Sequence, residues 1–153
     1  MDADERIRLV AQELRSTIER AQQAQASIPW LKRFPAKCCN FASNLLLLKL
    51  SAAGAGSLRR MIGTVCDERG DDLSTHVWVL AGELTVDITV DHYGQPAVIV
   101  ESGSDWHQSL KDIKPFIAAQ DLAEGVEASR LVQIRELYKD VMAELAPFES
   151  KES

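Results

Sequence analysis

Between His76 and Val90 the residues alternate in a pattern that a single strand pairing satisfies. Gly82-Glu83 separates two apolar-rich runs, and glycine at the first central position of a two-residue loop suits a type II′ turn. Such a turn sets Ala81 opposite Leu84, Val79 opposite Val86 and Val77 opposite Ile88, so one face is wholly apolar. The other face carries Leu80 with Thr85, Trp78 with Asp87 and His76 with Thr89. A slip of one residue would mix the two sets, and burial of the apolar face selects against it. His76 and Asp87 thereby become diagonal neighbours on one face, roughly 7–8 Å apart at the backbone and within reach through their side chains. Aspartate is depleted in strand interiors, so a carboxylate between Val86 and Ile88 requires a partner. Asp91, farther along the same face of an extended strand, is the second choice as the acid that orients His76.

The rest of the chain frames this hairpin. At 153 residues it suits one domain with one core. Residues 4–26 read as an amphipathic helix, with Ile7, Val10, Leu14, Ile18 and Ala21 at spacings of three and four. Residues 28–37 are a connection carrying Trp30, Phe34 and Pro35. A second helix from Cys39 or Asn40 to about residue 51 is apolar almost all round, which marks it as buried. After a break at residues 53–56, strands are expected over 61–66, 75–81, 84–90 and 96–101, with a charged loop over 67–72. From about Ser109 the pattern reads as helix, interrupted at Pro115. Leu122, Val126, Leu131, Ile134, Leu137, Val141 and Leu145 form its apolar stripe. The expected fold is α+β in a single domain, 1–153. It has an N-terminal helix in 1–28, a core in 34–108, C-terminal helices in 109–148 and a frayed tail in 149–153.

Composition excludes several functions. The net charge is -6 and there is no Lys/Arg run or aromatic platform, which argues against nucleic-acid binding. The apolar run Leu45-Leu46-Leu47-Leu48 stops at Lys49, far too short for a bilayer. The start Met1-Asp2-Ala3-Asp4-Glu5 lacks the regions of a secretory signal, so a cytoplasmic protein is expected. Three cysteines, an odd number, fit a reducing compartment better than a disulfide framework. Adjacent Cys38-Cys39 is poor chelating spacing, and Cys-x-x-Cys and His-x-x-x-His are absent, so no metal or cofactor is expected.

Cys38 and Cys39 stand at the entry to the buried helix. The positive end of a helix dipole favours the thiolate form of a cysteine, and a nearby imidazolium deepens the effect. A free cysteine is otherwise a small buried hydrophobe, the role expected for Cys66. The stretch Phe34-Pro35-Ala36-Lys37-Cys38-Cys39-Asn40-Phe41-Ala42-Ser43, followed by leucines, resembles the nucleophile helix of transglutaminase-like proteins. His76-Val77-Trp78-Val79 and Val86-Asp87-Ile88-Thr89 are similar to that family's His-x-Trp and Asp-x-Thr strands, and the order Cys, His, Asp agrees.

The resemblance implies a papain-like core, with a nucleophile helix packed on an antiparallel sheet. It assigns reaction to Cys39, packing to Cys38, the base to His76 and the orienting acid to Asp87. It implies thiol chemistry on acyl groups: a hydrolase or acyltransferase acting on a peptide or protein amide through a thioester. The chain is far shorter than the larger enzymes, lacks a calcium-site signature and has Asn40 after the cysteine. These departures weigh against cross-linking more than against hydrolysis. The alternative is a non-catalytic protein-binding module that retains the fold. The Cys39 backbone N–H would meet an oxyanion, with Trp30, Gln25 or Asn40 as the second donor. The loop 67–72 is either solvated or a substrate-contacting lid. Asp105-Trp106-His107 either closes the cleft or packs.

Overall fold

The computed structural model describes residues 1–116 and 128–150. Helix α1 (Ala3–Gln23) begins where the Asp2 carboxylate accepts the Glu5 backbone N–H at 2.8 Å, and Asp4 and Glu5 oppose the positive end of its dipole. Its buried stripe is Ile7, Ala11, Leu14, Ile18 and Ala21. Helix α2 (Cys39–Ala52) buries every residue from Ala42 to Leu48, and Leu50. Full burial of one leucine contributes roughly 1.5–3 kcal/mol, so α2 is the centre of the core.

The sheet is antiparallel, with strand order β4-β3-β2-β1-β5. Its strands are β1 (Leu58–Cys66), β2 (Asp72–Ala81), β3 (Leu84–Asp87), β4 (Ile99–Ser102) and β5 (Lys111–Pro115). Val79, Ala81, Val86 and Ile88 join Leu58 and Val100 in one apolar cluster with α1 and α2. Strands β2 and β3 pair in the expected register, Val79 with Val86 and Ala81 with Leu84. Gly82 has a φ of 62°, as the first central residue of a type II′ turn requires.

The hairpin is shorter than expected. Strand β3 stops at Asp87, so the ladder partners foreseen for Ile88 and Thr89 are not formed. The backbone groups there are used otherwise. The Thr89 N–H donates to Asp87 Oδ1 at 2.9 Å, and the Ile88 carbonyl accepts from Arg15 at 2.8 Å. The chain then turns into a short 3₁₀ segment, Val90–Tyr93.

Residues 105–115 also depart from the sequence expectation. A one-turn helix α3 (Asp105–Gln108) is followed by β5, where a helix was expected from residue 109. Four of the five residues of β5 are exposed, so the strand carries no apolar alternation, and it forms because β1 has a free edge to pair. Helix α4 (Ala128–Leu145) packs on α2, with Ile134 and Leu145 buried. Leu137 of the expected stripe is 69% exposed, while Leu122 and Val126 lie outside the described residues. The tail is anchored as far as residue 150: Glu149 pairs with Lys49 at 3.1 Å and the Ser150 N–H donates to Glu13 at 2.7 Å. Among the described residues no helix is long and apolar enough to cross a membrane.

Candidate active site

Along β2 the first four residues are exposed and His76 is the first buried one, with 2% of its surface accessible. Alternation sends Val79 into the cluster of α1 and α2 and leaves Trp78 and Asp87 on the opposite face. Asp87, also 2% exposed, receives His76 Nε2 on Oδ2 at 2.6 Å. The diagonal geometry foreseen from the register therefore closes into a short hydrogen bond. The Thr89 N–H and hydroxyl donate to Oδ1 at 2.9 and 3.2 Å. A second imidazole, from His107 on α3, meets Oδ2 at 2.7 Å, and Ser104 Oγ lies 2.6 Å from Nδ1 of that ring.

Cys39, the first residue of α2, lies close enough to His76 to help hold the imidazole in its protonated form. Because Nε2 is taken by Asp87, Nδ1 is the ring nitrogen left for the sulfur. Cys39 is half-buried, whereas Cys38 is buried and donates its S–H to the carbonyls of Trp30 and Ala36 at 3.3 and 3.2 Å. The two neighbouring thiols thus have different surroundings, one turned into the core and one toward the imidazole. Burial pushes the Cys38 thiol up, with Arg33 opposing it.

The electrostatics of the buried pair are lopsided. Burial alone would push the His76 imidazole down, yet the Asp87 carboxylate, and after it Cys39, outweigh that effect and the pKa is pushed up to about 9. Burial would raise Asp87, but the charge of His76 and the hydrogen bonds from His107 and His76 hold its carboxyl well below the usual range. At neutral pH the pair is an imidazolium against a carboxylate.

Aromatic rings enclose the imidazole. Trp78 stacks at 6.1 Å, while Tyr93 and Trp106 stand edge-on at 5.4 and 5.5 Å. Tyr93 and Trp106 are half-buried and stack on each other at 5.3 Å, forming a lip beside the site.

Several sequence candidates lie elsewhere. Asp91 is held by both guanidinium nitrogens of Arg15 at 2.8 Å, so it fixes α1 to the segment after β3 and does not orient His76. Trp30 is buried and stacked on Phe41 at 5.4 Å. The Asn40 side-chain Oδ1 accepts from Arg60 at 2.6 Å, which leaves the side-chain amide N–H groups as donors on the first turn of α2. Gln25 is exposed beyond the end of α1. In the 67–72 loop, Asp67 accepts the backbone N–H groups of Arg69 and Asp71, and Asp72 pairs with Lys111.

His107 is the site residue that the sequence reading did not assign. Its one signal was position, a Trp-His pair after the last hairpin strand. Among the described residues, His76, Asp87 and His107 are of ligating type and offer donor atoms within 4.8 Å of one another. Their 2.6 and 2.7 Å contacts converge on one oxygen as hydrogen bonds, and the other Asp87 oxygen is occupied by Thr89. No protein-family model, curated protein sequence or solved structure matches the chain.

Proposed function

We propose that this protein is a thiol-dependent hydrolase or acyltransferase with a papain-like arrangement of helix and sheet, and that Cys39, His76 and Asp87 form its reacting centre. The observation that carries the reading is the relay itself. A half-buried thiol at the head of a helix lies beside an imidazole whose Nε2 is bound to a buried carboxylate. Nucleophile, base and orienting acid in that order are the parts that acyl transfer through sulfur needs.

The Cys39 sulfur, as the thiolate whose proton sits on the His76 imidazolium, attacks an amide or ester carbonyl and forms a C–S bond. The C–N or C–O bond to the leaving group then breaks, and the His76 imidazolium hands its proton to the departing amine or alcohol. Water, or an amine, attacks the thioester while His76 takes its proton, and the sulfur is released. The oxyanion of each addition is met by the free backbone N–H groups of the first turn of α2, Cys39 among them. The Asn40 amide, anchored by Arg60, is the side-chain donor nearest in sequence. Asp87 keeps the ring oriented throughout and does not itself take the proton.

One observation favours the non-catalytic alternative. Trp30, Phe41, Leu137 and Val141 line an open groove rimmed by Lys32 and Arg33, a surface suited to holding a protein partner. An acyl-trapping experiment separates the two. With an activated ester such as p-nitrophenyl acetate, intact-mass analysis is expected to show one acetyl group per chain, removable by hydroxylamine. The adduct is expected to be lost in Cys39→Ala and kept in Cys38→Ala. An adduct of equal size in wild type and Cys39→Ala would reject the nucleophile.

A further inference from the structure

Asp87 carries two imidazoles, and a relay from Cys39 needs one. His107 is 2% exposed and Ser104 1% exposed, so a polar pair has been taken out of water to reach a carboxylate that already holds His76 and Thr89. An unpaired buried polar group is costly, and here each group is paired in one direction.

The proton positions follow from the partners. The ionised Asp87 carboxylate is acceptor-only, so His107 must present an N–H at Nε2 to meet Oδ2 at 2.7 Å. In the neutral ring Nδ1 is then the bare nitrogen, and the Ser104 hydroxyl donates to it across 2.6 Å. The other tautomer would set a lone pair against the carboxylate. Asp87 therefore selects the form of His107 that can donate, and the Ser104 hydroxyl completes it by holding the other ring nitrogen.

We propose that His107, locked by Ser104, is a positioning residue for the Cys39 relay. It holds Asp87 Oδ2 where His76 Nε2 must bind, and so keeps His76 Nδ1 turned to the thiol. This rests on the thiol chemistry proposed above. The terminal torsion of an aspartate is soft, and one donor on one oxygen would leave the carboxylate free to swing. Thr89 pins Oδ1 and His107 pins Oδ2, which fixes the plane of the group. The Trp78 ring at 4.8 Å and the Trp106 ring at 5.0 Å hold the His107 ring in turn.

The test uses the full chain, with His107→Gln, His107→Leu and Ser104→Ala. Glutamine can place an amide N–H where Nε2 stood; leucine fills the space and donates nothing. The readouts are the rate of Cys39 alkylation by iodoacetamide and the ¹⁵N spectrum of the histidine rings. His107→Leu is expected to slow alkylation by about tenfold or more, the size of one lost charge-assisted hydrogen bond. His107→Gln is expected to stay close to wild type, and Ser104→Ala to keep the Nε2 proton but shift the His107 Nδ1 signal as its hydrogen bond is lost. In wild type the His107 signal is expected to show a protonated Nε2 and a bare Nδ1.

Equal slowing by Gln and Leu would mean that the ring merely packs, and would overturn the proposal. So would an unslowed, folded His107→Leu, a wild-type ring protonated at Nδ1, or one metal ion per purified chain that His107→Gln releases. Should the leucine variant not fold, the glutamine and alanine variants and the wild-type spectrum still decide. A wild-type Cys39 no more reactive than Cys66 would instead remove the underlying thiol reading, and the ¹⁵N spectrum would still judge the Ser104–His107–Asp87 chain.

Discussion

His76 and Asp87 couple the stability of the fold to pH through the same bond that orients the ring. The folded His76 holds its proton up to about 9, against an ordinary 6.5. Its contribution is therefore fully present below about 6.5 and is lost as pH rises through about 9. Asp87 is held below its ordinary 3.8, so its contribution is present above that value and is lost as pH falls further. Stability is expected to be greatest between about pH 4 and 6.5 and to decline by an amount on the order of 3 kcal/mol toward pH 10. Urea midpoints measured across that range check this. His76→Ala is expected to flatten the alkaline decline, and an unchanged decline would contradict the assignment. Asp87→Asn removes the charge that keeps His76 protonated, so the ring turns neutral and loses a charge-assisted hydrogen bond, at an expected cost of about 1–3 kcal/mol. At this scale the sequence was informative for His76 and Asp87, because one register puts both on one face. It named His107 only as closing the cleft or packing, because its contact with Asp87 depends on how α3 docks on the sheet, and no local pattern encodes that docking.

The elements that could be read early are those whose pattern reflects burial. Helix α2 announces itself through unbroken apolar residues, and the β2–β3 hairpin through alternation around Gly82. Strand β5 could not be read, because an exposed edge strand leaves no alternation to detect. The end of β3 was misjudged because the Asp87 side chain and Arg15 compete for the backbone groups that would have continued the ladder. Gly63 on β1 pairs with His76 and offers a test of how tightly this region is built. A Cβ there would lie 3.0 Å from Leu110 Cβ and 3.2 Å from the Trp78 ring. Gly63→Ala is expected to destabilise by about 1–3 kcal/mol through overpacking, measured by chemical denaturation. A neutral or stabilising result would show that Leu110 and Trp78 can yield. Leu46→Ala, at the buried centre of α2, is expected to cost about 2–5 kcal/mol.

Across the described residues, α1 and α2 cover the apolar face of the sheet while α3 and the aromatic lip cover the buried end of the hairpin. Arg15 ties these layers together. It is 7% exposed, grips Asp91 and the Ile88 carbonyl, and lies over the Phe34 ring at 4.8 Å. Arg15→Ala would leave Asp91 without its cation, free the Ile88 carbonyl and remove the link between α1 and the segment that carries Thr89. A loss of about 1–3 kcal/mol is expected, for hydrogen bonds to a charged group lost at a part-buried site, read from the shift in unfolding midpoint. The α+β class was legible from the order of patterns along the chain, since helices flank a run of strands. The direction of residues 109–115 was not, because that depends on the free edge of β1.

Cys66 supplies an internal standard for the proposed chemistry, since it is half-buried like Cys39 but sits at the end of β1 beside Asp72. The decisive measurement is peptide mapping by mass spectrometry after a limiting dose of iodoacetamide at pH 6. Cys39 is expected to carry most of the label, Cys66 little and Cys38 almost none, with the Cys39 excess lost in His76→Ala. Labelling of Cys66 at or above the level of Cys39 would contradict the assignment of a reacting centre to this site.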